Sequence, residues 1–115
     1  MARMIHCHKL NREAPGLDYP PATWRSETPV DVDVVQGACL MVRRSVVDAV
    51  GGLDEGYFMY SEETEWCARI RAAGWRLAWV PAARVIHHGG GSTRLVASAM
   101  FARLYASKVR YLRRN

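Results

Sequence analysis

The chain has 115 residues, half of them hydrophobic and 23% charged, which suits one small domain with a core or a piece of a larger one. No apolar stretch approaches the roughly 18 residues that span a bilayer, and "MARMIHCHKL" lacks the apolar centre of a secretion signal, so a cytoplasmic protein, peripheral at most on the inner membrane face, is expected. The net charge of +5 is lopsided, with all 11 acids and 6 bases in residues 1–65 and only bases in residues 66–115; this favours an anionic partner for the C-terminal half, solvated arginines being the alternative.

Residues 1–30 read as an arm or loop, because Pro15, Pro20, Pro21 and Pro29 interrupt any periodicity. Within it, "HCH" (His6, Cys7, His8) lacks the paired spacing of a structural zinc site. The three cysteines, Cys7, Cys39 and Cys67, cannot all pair and are expected to be reduced. "VDVDVV" alternates and predicts a strand, with Asp31 and Asp33 on its outward face. Gly37 then permits a bend, and Leu40 to Val42 form a short buried strand. "RSVVDAVGG" predicts a short helix, capped by Ser45 and stopped by Gly51 and Gly52. "LDEGYFMY" is an aromatic turn. A helix follows from Glu62 to Ala73, capped by Ser61 and ended by Gly74. Trp66, Ile70 and Ala73 form its inner face, and Glu65 and Arg69 an i,i+4 surface pair. "WRLAWVP" and "ARVIHH" predict two strands and "GGGST" a flexible loop. A last helix runs from Ser92 to about Arg114, with Phe101, Leu104, Tyr105 and Leu112 on one side and six bases along it.

The candidate chemistry begins with Glu62 and Glu63 in the first turn of the central helix. The helix dipole favours acids there by about 0.3–1 kcal/mol, which alone can explain them. A carboxylate held beside aromatic rings can equally serve as a general base toward a hydroxyl. His87 and His88 follow a strand, so they point to opposite faces; one of them can ligate a divalent ion. Gly89 to Gly91 offer backbone amides to an anion, but "HHGGGST" is neither a Walker A loop nor a G-x-G-x-x-G motif. The "DVD" acids fit an edge strand better than a metal site.

Taken in order, "GACLMVRR", "VGGLDEGYFMY", "EETEWCARIRAAGW" and "VPAARVIHHGGGS" resemble the C-terminal part of the catalytic domain of family 2 glycosyltransferases, in the branch with bacterial rhamnosyltransferases. The resemblance covers about residues 31–93, leaving 1–30 as the arm and 94–115 as a basic helix. It implies an α/β, partial GT-A-like domain: a short mixed sheet, two or three packed helices and the long C-terminal helix. It implies inverting transfer of a sugar from a nucleotide-sugar to a polysaccharide or lipid-linked acceptor, with Mg or Mn. Glu63 stands where the family's base, usually Asp, is found, and Glu62 supports it. His87, or else His88, matches the histidine that contacts the metal–diphosphate. Gly37, Ala38, Tyr60, Trp66 and Arg94 match substrate-lining positions. The family's nucleotide-binding half and its D-x-D motif have no counterpart here, so activity is expected to need that half or a partner chain. The alternatives are a non-catalytic homo-oligomeric assembly module and a membrane-associated protein working through the last helix. Nucleic acid is the weakest partner, since no nucleic-acid motif accompanies the bases.

Overall fold

The computed structural model describes residues 5–6, 25–83, 85–86 and 97–114. Among these residues lie four two-residue strands, β1 (Ile5–His6), β2 (Val30–Asp31), β3 (Leu40–Met41) and β4 (Ala78–Trp79). Three helices accompany them: α1 (Arg44–Val50), α2 (Glu62–Ala72) and α3 (Ala97–Arg114). The strands make one mixed sheet in the order β2–β4–β1–β3. β4 is parallel to β1 and antiparallel to β2, and β1 is antiparallel to β3. The Val32 amide extends the β2–β4 ladder by donating to the Leu77 carbonyl at 3.1 Å. The architecture is mixed α/β.

The core lies between this sheet and the α1–α2 pair. Val32 and Val35 from the first strand segment, Val46 from α1, Trp66, Cys67 and Ile70 from α2, and Leu77 and Trp79 around β4 are all buried. Alternation places Asp31 and Asp33 outward, as expected of an edge strand. Asp31 accepts from Arg76 and Asp33 pairs with Arg71 at 2.8 Å.

The chain stops its helices by backbone geometry. Gly51 follows α1 at φ 78°, ψ 178°, a region essentially closed to residues with a Cβ. α2 ends in a Schellman motif: Gly74, at φ 82°, donates to the Arg71 carbonyl and Trp75 donates to Ile70. The helix starts depart from expectation. Arg43, not Ser45, precedes α1, and Ser45 lies inside that helix. Ser61 precedes α2 but sits in the left-handed region, and its side chain makes no cap.

Ala73 falls beyond the end of α2 and is exposed, whereas Cys67 is buried beside Trp66 and Ile70. The Glu65–Arg69 pair forms, but not on the surface. Glu65 is 7% exposed and accepts from Arg69 at 2.7 and 2.9 Å. Arg69 also donates to the Val50 and Gly52 carbonyls, and Trp66 Nε1 to Gly51 at 2.8 Å. One turn of α2 thus holds the glycine turn that ends α1.

α3 packs with the face opposite to the one hydrophobicity selects. Met100 and Ser107 are buried, whereas Phe101, Tyr105 and Leu112 are exposed and only Leu104 is half-buried. The reason lies in the loop beneath it. That loop presents rings and an acid, so arginines pack there: Arg103 stacks on Phe58 at 3.8 Å, Arg110 on Tyr57 at 5.2 Å, and Arg110 and Arg114 both reach Asp54. Val85 and Ile86 are exposed and carry no strand. Residues 1–4, 7–24 and 87–96, with the "HCH" cysteine, the glycine loop and the start of the last helix, lie outside the described residues.

Candidate functional site

The loop from Asp54 to Tyr60 delivers the site. Asp54 accepts from the Gly56 amide at 2.8 Å and from two arginines of α3. That amide, with Arg110 and Arg114, holds its carboxyl below the usual carboxylate range. Ser107 of α3 donates to the Met59 carbonyl at 2.8 Å, fixing the loop's far end. The chain then turns sharply: Tyr60 and Ser61 have φ of 70° and 65°. Two consecutive residues with side chains in the left-handed region cost about 1 kcal/mol or more each. The strain aims the first turn of α2, with Glu62 and Glu63, at the segment around Gly37.

Glu63 is half-buried. A Cβ placed on Gly37 would lie 3.8 Å from the Cβ of Glu63 and 4.0 Å from its Cγ, so the two are direct neighbours. Burial pushes the Glu63 carboxyl above its ordinary value of 4.5, and the charge of Glu62 adds to this. The backbone amides of Glu63, Gly37 and Thr64 act in the other direction without winning. Among the described residues, Oε2 of Glu63 and Oε2 of Glu62 are buried and accept no hydrogen bond. A carboxylate with a raised pKa and an unpartnered oxygen suits proton abstraction from a hydroxyl.

One turn further along α2, Cys67 is fully buried and its thiol is pushed up to about 11, by burial first. It points at the Val35 carbonyl 3.9 Å away. It is a packing residue beneath the acids, not a nucleophile.

The structure therefore brings Gly37 and Glu63 together, with Ala38 exposed beside them, Glu62 adjacent and Tyr60 half-buried at the turn. Trp66 is placed elsewhere. It is 8% exposed in the core, and its indole N–H is used on Gly51. His87, His88 and Arg94 lie outside the described residues. Among the described residues no three His, Cys, Asp or Glu side chains converge on a metal position. Sequence reasoning did not find the Tyr60–Ser61 strain, which has no residue signature, or the Gly37 contact, which joins positions 26 apart.

The chain is similar to curated proteins named as sugar transferases. An N-acetylglucosaminyl-diphospho-decaprenol L-rhamnosyltransferase of Mycobacterium tuberculosis is 48% identical over 68 residues, covering 59% of this chain and 22% of that protein. A rhamnosyltransferase of Escherichia coli is 41% identical over 84 residues, covering 73% of this chain and 32% of that one. A different kind of protein, a probable Fe(2+)-trafficking protein of Ralstonia pickettii, is 76% identical over 21 residues, 18% of this chain and 23% of the other. No family model matches, and no solved structure matches. The chain thus carries a segment similar to the family 2 glycosyltransferases and spans between a fifth and a third of the rhamnosyltransferases it matches.

Proposed function

We propose that this chain forms the acceptor side of a GT-A-type sugar-transfer site. Glu63 takes the proton from an acceptor hydroxyl. The hydroxyl oxygen bonds to the anomeric carbon, the bond to the nucleotide diphosphate breaks, and configuration inverts. The observation that carries this reading is the Glu63 carboxylate: half-buried, raised in pKa, seated beside Gly37, and with Oε2 buried and unpartnered among the described residues. Glu62 keeps the proton affinity of Glu63 high by its charge. The backbone at Gly37 and Ala38 borders the sugar being transferred, and Tyr60 borders the acceptor. Trp66 acts through the loop it anchors, not by contact with substrate.

A divalent ion, Mg or Mn, when bound would offset charge on the leaving diphosphate. His87, or else His88, is the proposed protein ligand, and Arg94 the proposed diphosphate contact. The described residues alone supply no complete ligand set.

The names of the relatives suggest the first substrates to try: a nucleotide-activated rhamnose as donor and a polyprenyl-diphosphate-linked sugar as acceptor. The nucleotide-binding half of such a site is expected from a further segment or a partner chain. The test is transfer from that donor to that acceptor, with manganese, by the chain supplied with the nucleotide-binding half of a rhamnosyltransferase relative. Glycosylated lipid product, abolished in Glu63→Gln, supports the proposal; no product from the combined halves, or product unchanged in Glu63→Gln, counts against it.

A further inference from the structure

The outward face of α3 has no partner among the described residues. Phe101, Tyr105, Val109 and Leu112 recur along it and are 62%, 54%, 45% and 75% exposed. The rings of Phe101 and Tyr105 pack against each other, tilted by 54°, with centroids 4.7 Å apart. Lys108 borders this stripe on one edge and Arg113 on the other, both exposed. No acid occurs anywhere in α3. The other bases, Arg103, Arg110 and Arg114, are turned toward the Asp54–Tyr60 loop, onto Phe58, Tyr57 and Asp54. The helix therefore sorts its cations: three hold the protein together and two frame an exposed apolar band.

We infer that α3 docks this protein on an anionic lipid bilayer, lying in the interface with Phe101, Tyr105, Val109 and Leu112 among the upper acyl chains and Lys108 and Arg113 among the headgroups. An apolar band edged by long basic side chains is the arrangement that such a surface accepts, because the stems stay apolar while the charges reach the phosphates. A protein partner is the competing occupant, since Phe101, Tyr105 and Arg113 suit a protein interface and Lys108 does not. Spanning is excluded for α3, because no described helix is long and apolar enough to cross a membrane. The docked helix would hold the Asp54–Tyr60 loop, and the Glu62–Glu63 turn that follows it, about one helix diameter (~10 Å) below the headgroups. The inference rests on α3 alone and stands whether or not the chain transfers sugar.

Co-sedimentation with vesicles tests it. The chain is expected to pellet with phosphatidylglycerol-containing vesicles at low salt and much less with pure phosphatidylcholine. Lys108→Gln with Arg113→Gln weakens partitioning about 30-fold, from two interfacial charges. Phe101→Ser with Leu112→Ser weakens it at least about tenfold. All four side chains are exposed, so both double variants keep the helical circular dichroism and urea midpoint of the parent. Equal binding to neutral and anionic vesicles, or none to either, overturns the inference. So does a dimer in light scattering that Phe101→Ser with Leu112→Ser dissolves, which would assign the face to a second copy.

Discussion

Replacing Arg69 by Met removes the clamp between α2 and the end of α1. The guanidinium donates twice to Glu65, whose carboxylate is 7% exposed as a residue, and once each to the Val50 and Gly52 carbonyls. Were this the ordinary surface pair that i,i+4 spacing suggests, its loss would cost about 0.3–0.5 kcal/mol. In the structure its loss strands a buried carboxylate and two carbonyls. Breaking a buried pair from one side costs about 3–5 kcal/mol. The Arg69 side chain is 33% exposed, so water can replace part of what is lost, which sets the expectation at about 3 kcal/mol. That is a large fraction of the stability of a domain this size. Urea denaturation followed by tryptophan fluorescence measures it. Glu65→Gln together with Arg69→Met should recover about half the loss, because no buried charge remains. A single-variant loss below about 1 kcal/mol would refute the reasoning and return the pair to the solvated surface.

Three further outcomes are expected. Gly51→Ala places a Cβ at φ 78°, ψ 178° and should destabilise by about 2 kcal/mol in the same denaturation experiment; an unchanged midpoint would show that the turn relaxes freely. Because the folded state raises the Glu63 carboxyl above 4.5, the contribution of this group to stability is fully present below that pH and is lost as pH rises through the folded value. Glu63→Gln should therefore be more stable than the parent at neutral pH and lose that advantage in acid, and a pH-independent difference between the two would contradict the burial argument. Cys67, buried with its thiol near 11, should resist a disulfide-exchange reagent at pH 8 until the chain is unfolded; rapid labelling of Cys67 in the native protein would show that α2 opens.

The sequence makes the secondary elements legible where one residue decides them. Gly51 and Gly74 mark helix ends because only glycine accepts their backbone angles cheaply. The alternation of Val30 and Val32 with Asp31 and Asp33 marks the edge strand, because one face of it is wet. The α3 orientation was not legible. Periodicity ranks Phe101 and Leu112 above Arg110, but it cannot know that the opposing loop offers Tyr57, Phe58 and Asp54, which arginine suits better. The depth of Glu65 was hidden for a related reason: its partner Arg69 is held by the Val50 and Gly52 carbonyls, which lie in another helix and turn. In the candidate site, the order of motifs singles out Glu63 and Gly37, whereas their contact is a property of the fold. Trp66, which periodicity puts on the inner face of its helix and the family resemblance among the substrate-lining positions, is a core residue in space.

The claim at the centre of this account is that Glu63, and not its neighbour, is the base for sugar transfer. The rate of the transfer step, compared for Glu63→Gln and Glu62→Gln with donor and acceptor saturating, tests it most directly. Loss of a general base lowers the rate about 10²–10⁴-fold, so Glu63→Gln should fall into that range. Glu62→Gln should slow transfer only about tenfold or less, because Glu62 acts through its charge on Glu63. Glu63→Asp should recover part of the loss. Equal rates for Glu63→Gln and the parent, or the larger loss in Glu62→Gln, would contradict the assignment.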